Sequence, residues 1–498
     1  MNITKSLGPD YHPFIGTEPK KLLIDGRWED AASGATIETR NPSTGKLLGN
    51  VAAGTALDID RAVVAARSAF EGPWSKLKPF HRQDILLKWA ELIDRHFEEL
   101  SWLDTLDMGV PISLALGRRQ RVIGMIRFYA GLATALHGET IANSMAGEHT
   151  SFTLKEPVGV VGAIIPWNGP LIASVWKMSP SIATGCTMVM KPSEEAPLTT
   201  LRLAELLQEA GLPDGVMNVV TGYGHEAGAA LAAHPGVDKV AFTGSPATGR
   251  KLVEASAGNF KRLSLELGGK SPNIVFADAD LDAAVPGAAM AVFFNTGQVC
   301  SAGTRLFVEE PIYDEFVEKV AAFGKTLKIG DGADTATQIG PIVSERQLQT
   351  VSRYIESGRN QGAVAISGGE RLTEGNLANG FFMAPTVFKG VTDDMKIARE
   401  EIFGPVISAM PFRDMADVIQ RANNSDFGLG SGVWTSNVTT AMNAAKSIRA
   451  GSVWINCYQA ADPAVPFGGF KTSGFGRESG IQHLEEFLEV KSVWIKTG

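Results

Sequence analysis

Cys300 sits in FFNTGQVCSAGT (293–304), a small, polar, glycine-punctuated stretch unlike the apolar surroundings of a structural cysteine. A thiol on such a loop can reach a cleft, and its thiolate attacks electrophilic carbon. A reference pKa of about 8.5 leaves only a few per cent ionised at neutrality, so a base or positive surroundings should assist it. Glu266 in LSLELGGKSP (263–272) is the second candidate. Leu263, Leu265 and Leu267 alternate with Ser264 and Glu266, so on a strand the leucines share one face and the carboxylate takes the other, just before Gly268 and Gly269. A carboxylate at a strand end, beside backbone that permits close approach, is placed for base chemistry.

Two further stretches suit a nucleotide. In MKPSEEAP (190–197), Lys191 and Glu194 could grip the two hydroxyls of an adenosine ribose, although taken alone they read more simply as a solvated turn. In FTGSPATG (242–249) a strand end gives way to Gly244 and Ser245 opening a helix, whose free N–H groups could hold a pyrophosphate or simply be capped. GYGHEAG (222–228) is one residue too long for the dinucleotide fingerprint, and Gly269-Lys270-Ser271 lacks the first glycine of a P-loop because Ser264 is there.

The elements that must position these groups show in the periodicity. An apolar helical run, 288–294, breaks at Asn295 and Gly297, and β-rich 305–308 follows, leaving Cys300 on the connection. Short β-branched strands at 158–165, 187–190, 216–220 and 239–242 alternate with helices, the pattern of a parallel α/β sheet that binds ligands at its carboxyl ends. Helical spacing of Ile85, Leu86, Trp89, Leu92 and Ile93 marks a packing layer over 58–118, and the Gly- and Pro-rich 1–20 reads as a surface arm. Glu400 and Glu401 close a helical run from Asp393, where the dipole disfavours carboxylates by about 0.3–1 kcal/mol, a cost that a functional role would explain.

Composition removes several function classes. At 498 residues the chain suits about three domains, and 44% hydrophobic with 20% charged residues is globular. A net charge of −8 without a basic run argues against nucleic acid and anionic lipid, and for small-molecule partners. Cys186, Cys300 and Cys457 lie far apart, so neither a disulfide framework nor a metal site is expected. With no signal-like amino terminus and no apolar run near ~18 residues, a cytoplasmic protein without membrane partners is expected.

Read in order, NPSTG (41–45), IIPWNGP (164–170), MKPSEEAP, FTGS, LELGGKSP, FFNTGQVC, EEIFGPV (400–406), PFGGFKTSGFGRE (466–478) and the closing EVKSVWIK (489–496) resemble the NAD(P)-dependent aldehyde dehydrogenase superfamily, in its hydrolytic, non-acylating branch. The resemblance implies an α/β fold of two Rossmann-like parallel domains plus a small β oligomerisation extension. The cofactor-binding domain would be 1–137 with 157–268, the catalytic domain 269–468, and the oligomerisation segments 138–156 and 483–498 of a homodimer or homotetramer. It makes Cys300 the nucleophile and Glu266 the base, which also activates water for thioester hydrolysis. Asn168 becomes an oxyanion donor beside the Cys300 N–H, a contact worth roughly 3 kcal/mol elsewhere. Lys177 and Glu478 take a proton relay. Lys191, Glu194 and Ser245 take the adenosine and pyrophosphate, with Ile164, Ile165, Trp167, Gly224, Phe242, Thr243, Gly244 and Leu267 around the cofactor. Glu401 holds the nicotinamide ribose, and Phe403 packs nearby.

Glu194 should repel a 2′-phosphate, which favours NAD, while Lys191 leaves NADP possible. The implied reaction is oxidation of an aldehyde to a free acid. A coenzyme A-acylating enzyme is disfavoured by Glu266, and a catalytically silent homologue by the joint presence of Cys300, Glu266 and Asn168. Gly169, Met290 and Ala461 depart from the aromatic-lined pockets of many relatives and imply a wide tunnel for bulky, aromatic or branched aldehydes, with Trp176 as a wall. Asp462 suggests a cationic substrate instead, though exposed charge is the simpler reading. Val299 and Ser301 flank Cys300, so no adjacent thiol can form a protective disulfide.

Overall fold

The computed structural model describes residues 7, 8 and 12–498. Part of the expected amino-terminal arm, 1–6 and 9–11, lies outside the described residues. From His12 the chain is laid on the body: His12 Nε2 meets the Glu99 carbonyl at 2.9 Å, and Phe14 is buried.

The first sheet grows from five parallel strands, β1 (Val160–Ile164), β2 (Thr187–Lys191), β3 (Met217–Val219), β4 (Lys239–Thr243) and β5 (Arg262–Glu266). β1, β2 and β3 are buried on both faces, which is why valine, isoleucine and methionine dominate them without a strict apolar–polar alternation. The spatial order is β3-β2-β1-β4-β5. Leu22–Ile24 and Arg27–Glu29 extend one edge antiparallel, and Gly474–Phe475 the other. The order reverses between β1 and β4, so the crevice for a ligand opens at their carboxyl ends.

Glu266 ends β5, and Pro272–Val275 begins the second sheet after only a short link. That sheet runs Val364–Ser367, Thr386–Lys389, Val406–Phe412, Arg305–Glu309, Pro272–Val275, Gly430–Trp434, Ser452–Ile455, parallel except for its first edge. Pro272 pairs with Arg305, so the residues before each, Gly268–Gly269 and Cys300, emerge side by side. Topology thus sets the end of the first sheet against the start of the second.

The predicted helical layer is present. Pro79–Arg95 and Arg119–Ala133 pack together and over Pro170–Thr184, burying Leu86, Trp89, Ile93, Ile126 and Tyr129. Each such side chain contributes about 1.5–3 kcal/mol by burial. Among the described residues no helix is long and apolar enough to cross a membrane.

A three-stranded antiparallel sheet, Leu488–Lys496, His149–Pro157 and Thr140–Ile141, projects from this body. Of the expected segment 483–498, Leu488–Lys496 forms a strand of this sheet and the residues before it lie on the body. His483, Leu484 and Phe487 are buried, with His483 bonded to Tyr129, because the short helix Gly480–Glu485 closes the first core.

Candidate active site

The helix Leu281–Phe293 delivers the chain to Cys300. It cannot continue, because Asn295 and Thr296 adopt φ of 51° and 58° and Gly297 one of 72°. Left-handed backbone is unfavourable for threonine and persists only when its surroundings hold it. Here Asn295 Nδ2 donates to the Asn168 and Gln298 carbonyls at 3.1 and 3.3 Å, and Thr296 Oγ1 to the Gly340 carbonyl at 3.0 Å. Gln298 receives the Val343 N–H at 2.9 Å, and Tyr458 Oη–H donates to the Ser301 carbonyl at 2.8 Å. The turn is pinned on both sides of a half-buried Cys300, whose own N–H has no acceptor among the described residues.

Glu266 is 5% exposed, and neither of its carboxyl oxygens has a hydrogen-bond partner among the described residues. The leucines of β5 do face the opposite core, as the alternation predicts, but the Glu266 face is buried as well. Burial, then the Glu478 carboxylate, pushes its carboxyl well above the ordinary range, against the pull of Lys177 and Arg477. A desolvated carboxylate holds a proton avidly, which suits a base. Gly269 lies against the Cys300 carbonyl, where a side chain would collide, and its N–H donates to Glu401 Oε1 at 3.2 Å.

Of the two aids expected for the thiol, a base or positive surroundings, the second is not found among the described residues. Burial, then Glu401, Glu266 and Glu478, push the Cys300 thiol up, opposed by the Ser301 N–H. The thiol is therefore held protonated until a base takes its proton. The expected helix from Asp393 to Glu401 is also corrected. It spans only Lys396–Arg399, Glu400 is extended (φ −103°, ψ 148°), and no dipole cost falls on either carboxylate. Glu401 is instead captured by the Gly269 N–H. Burial pushes it to about 7, opposed by that N–H and by Lys270, whose unpartnered ammonium burial and Arg305 push down to about 7.

Asn168 ends the loop after β1, just before the helix Pro170–Thr184, and its Nδ2 donates to the Gln298 carbonyl at 2.9 Å. The second Nδ2 hydrogen remains beside the Cys300 loop. Lys177 on that helix pairs with Glu478, at 1% and 3% exposure, and Glu478 also accepts from Thr243 Oγ1 at 3.3 Å. Breaking a buried pair strands a charge. Lys177→Met should cost about 3–5 kcal/mol in urea unfolding, most of it recovered in Lys177→Met/Glu478→Leu. Equal midpoints for the single variant and the parent would refute this.

The crevice at the switch point gathers the expected cofactor residues. Ile164 ends β1 and Ile165 follows it, Lys191 ends β2, and Phe242 and Thr243 end β4. Lys191 Nζ donates to Glu194 Oε2 at 3.0 Å. Burial alone would raise the Glu194 carboxyl, but Lys191 and the Glu194 and Gly224 N–H groups hold it below the ordinary range. Ser245 caps the helix Pro246–Ser256, accepting the Thr248 N–H at 3.3 Å, and Gly244 lies on the Phe242 ring without room for a side chain. Gly249 lets this helix close on Leu267. Gly224 has open space where a Cβ would be. Phe403, at φ 56°, is held by Gln347 Nε2 on its carbonyl (2.9 Å), and its ring meets Trp167 edge-on at 5.2 Å. An open backbone cradle, a capped helix start and a Lys–Glu pair at strand ends form a donor set that fits a dinucleotide.

The structure thus brings Cys300, Glu266, Glu401, Glu478 and Asn168 to one locus and the adenosine candidates to the adjoining crevice. Sequence reading named Asn295 only as the break in the helix and gave no role to Gln298, which shapes the turn with it, to Lys270 or to Arg121. Arg121 is signalled only by three nearby arginines, Arg118, Arg119 and Arg121, without an acidic neighbour on their helix. Of the expected tunnel residues, Trp176 stacks on Phe467 at 6.3 Å, and Ala461 and Asp462 are exposed. Met290 packs partly on the second core, and a methyl at Gly169 would come within 3.1 Å of Ile172 Cγ2.

Comparison with known proteins bears on this site. The mitochondrial benzaldehyde dehydrogenase of Antirrhinum majus is 47% identical over 97% of this chain and 90% of its own length. The mitochondrial aldehyde dehydrogenase of Homo sapiens is 46% identical over 96% of this chain and 92% of its own. The aldehyde dehydrogenase of Bacillus cereus, solved as an NAD+ complex, superposes with a TM-score of 0.96 at 47% identity, covering 99% of both chains. The profile of the aldehyde dehydrogenase family matches residues 28–493 and so takes in β1 to β5, the second sheet and every site residue described above: the chain belongs to the aldehyde dehydrogenase family.

Proposed function

We infer that the chain is an NAD-dependent aldehyde dehydrogenase that converts an aldehyde, NAD+ and water to a carboxylate and NADH with release of two protons. The observation that carries the assignment is the buried, unpartnered Glu266 carboxylate beside a thiol that burial and the neighbouring carboxylates hold protonated. Glu266 takes the Cys300 proton as sulfur adds to the carbonyl, and the oxygen that becomes negative is received by the Cys300 N–H and Asn168 Nδ2. When bound, NAD supplies the hydride acceptor that turns the thiohemiacetal into a thioester. Glu266 then activates the water that releases the acid, and Lys177, Glu478 and Thr243 give that proton a polar route outward.

Lys191 and Glu194 would hold the adenosine ribose, the start of the helix Pro246–Ser256 with Ser245 the pyrophosphate, and Glu401 the nicotinamide ribose. Residues 1–137 with 157–268 form the cofactor-binding unit and 269–468 the catalytic unit, a division supported by the two sheets. The exposed Ile141, Leu154, Val490, Trp494 and Ile495 on the projecting sheet support a homodimer or homotetramer. Three unpaired cysteines support a cytoplasmic setting.

The test is NADH formation over an aldehyde panel, with and without coenzyme A, for the parent, Cys300→Ser and Glu266→Gln. Absence of turnover with every aldehyde refutes the assignment, and a strict need for coenzyme A favours the acylating reading. A pH effect follows from Glu401. Its carboxyl, at about 7, gains a negative charge between pH 6 and 8, and the ionised form is the better acceptor of ribose hydroxyls. KM for NAD should therefore fall as pH rises through 7, and this slope should vanish in Glu401→Gln. A pH-independent KM in the parent contradicts the role.

A further inference from the structure

Arg121 lies on the helix Arg119–Ala133, its guanidinium carbon 5.2 Å from the centre of the Trp176 ring. Arg118 faces Asp104 at 3.7 Å and Arg119 bonds Asp94 at 2.7 Å. Arg121 alone of the three has no carboxylate within 4.0 Å and no hydrogen-bond acceptor among the described residues, although it is half-buried. Burial, then repulsion from Arg118, pushes its guanidinium below the ordinary range. A partly desolvated cation without a counter-charge is costly, and an arriving anion would relieve that cost.

Its position leads to the reacting groups. Trp176 lies nearly parallel to Phe467 (6.3 Å, 13°) and donates Nε1–H to Ser479 Oγ at 2.8 Å. The Phe467 backbone is bonded to that of Glu478, and Gly468 lies so near Glu266 that a Cβ there would be 2.8 Å from Oε1. Guanidinium, indole and phenyl ring thus form a series running outward from the carboxylate beside Cys300. The segment 459–465 faces the same helix. Gln459 Nε2 donates to the Ala291 carbonyl at 3.4 Å, on the helix that delivers Cys300, and Pro463 lies 3.9 Å from where a Cβ on Gly124 would be. Asp462, the acid of that segment, accepts the Ala464 N–H at 2.8 Å, is exposed, and makes no ion pair with Arg121 at the outer end of this route.

We propose that Arg121 is a substrate-binding residue that receives a carboxylate at the far end of the substrate, so that the class oxidised best is aldehydes bearing a distal carboxylate on an aromatic ring. The planar guanidinium offers a carboxylate paired N–H donors, and the flat Trp176 ring guides an aromatic body between it and the sulfur. The proposal rests on Cys300 being the nucleophile. Only the aldehyde carbon is oxidised, and the distal carboxylate leaves unchanged.

The experiment compares kcat/KM for para-carboxybenzaldehyde and its methyl ester, with NAD, in the parent, Arg121→Met and Arg121→Lys. The parent should prefer the acid, and the acid-to-ester ratio should fall about 10- to 100-fold in Arg121→Met, chiefly through KM, with part restored in Arg121→Lys. A parent that prefers the ester, or a ratio unmoved by Arg121→Met, overturns the proposal while leaving the enzyme assignment intact. A parent that oxidises neither compound, nor any other aldehyde, overturns the assignment itself.

Discussion

Cys300→Ser should lower kcat/KM for aldehyde oxidation by on the order of 10⁴- to 10⁶-fold, the loss seen when a covalent nucleophile is removed from a site whose other groups remain. Serine keeps the shape of the turn but not the chemistry. Its hydroxyl is far less acidic than a thiol, and the local field makes ionisation harder still, because Glu401, Glu266 and Glu478 all act against negative charge at this atom. Steady-state NADH production checks the activity, and NAD binding followed by tryptophan fluorescence checks that the crevice survives. Activity within tenfold of the parent would remove Cys300 from the mechanism.

Glu266→Gln should reduce steady-state turnover by about 10²- to 10⁴-fold, the usual contribution of a positioned base, and should change its time course. Glutamine cannot activate water, so the acyl thioester persists and NADH appears as a burst approaching one per site, after which added hydroxylamine releases product. The burst should itself be slow near neutrality. Without a base the thiol must ionise spontaneously from above its ordinary range, so the burst rate should climb about tenfold per pH unit between 7 and 9. Linear steady-state production without a burst would show that hydrolysis does not depend on Glu266.

The same substitution has a stability consequence of opposite sign. The Glu266 carboxyl is raised in the folded chain, so the folded state binds its proton more tightly than the unfolded one. It therefore opposes folding once pH passes its ordinary value near 4.5, increasingly until the folded value is reached. Glu266→Gln should be at least as stable as the parent at pH 7, as expected where function keeps an unpartnered charge buried.

Local pattern carried much of this reading. The alternation in LSLELGG placed Glu266 opposite the leucines, the break at Asn295 and Gly297 put Cys300 on a connection, and the strand and helix rhythm after 158 predicted a parallel sheet, because each depends on residues a few positions apart. The short strand Gly474–Phe475 could not be read the same way, since it returns to the first sheet only by pairing with β5. Glu401 shows why local pattern has a limit. Its flanks look helical, yet the Gly269 N–H, 132 residues earlier, takes its carboxylate and the helix ends at Arg399. The field at Cys300 and the missing counter-charge at Arg121 follow the same rule. Composition and spacing name which charged groups exist, but whether a charge is paired, repelled or left bare depends on distances between segments far apart in the chain, and those distances are set only when the two sheets close on one another.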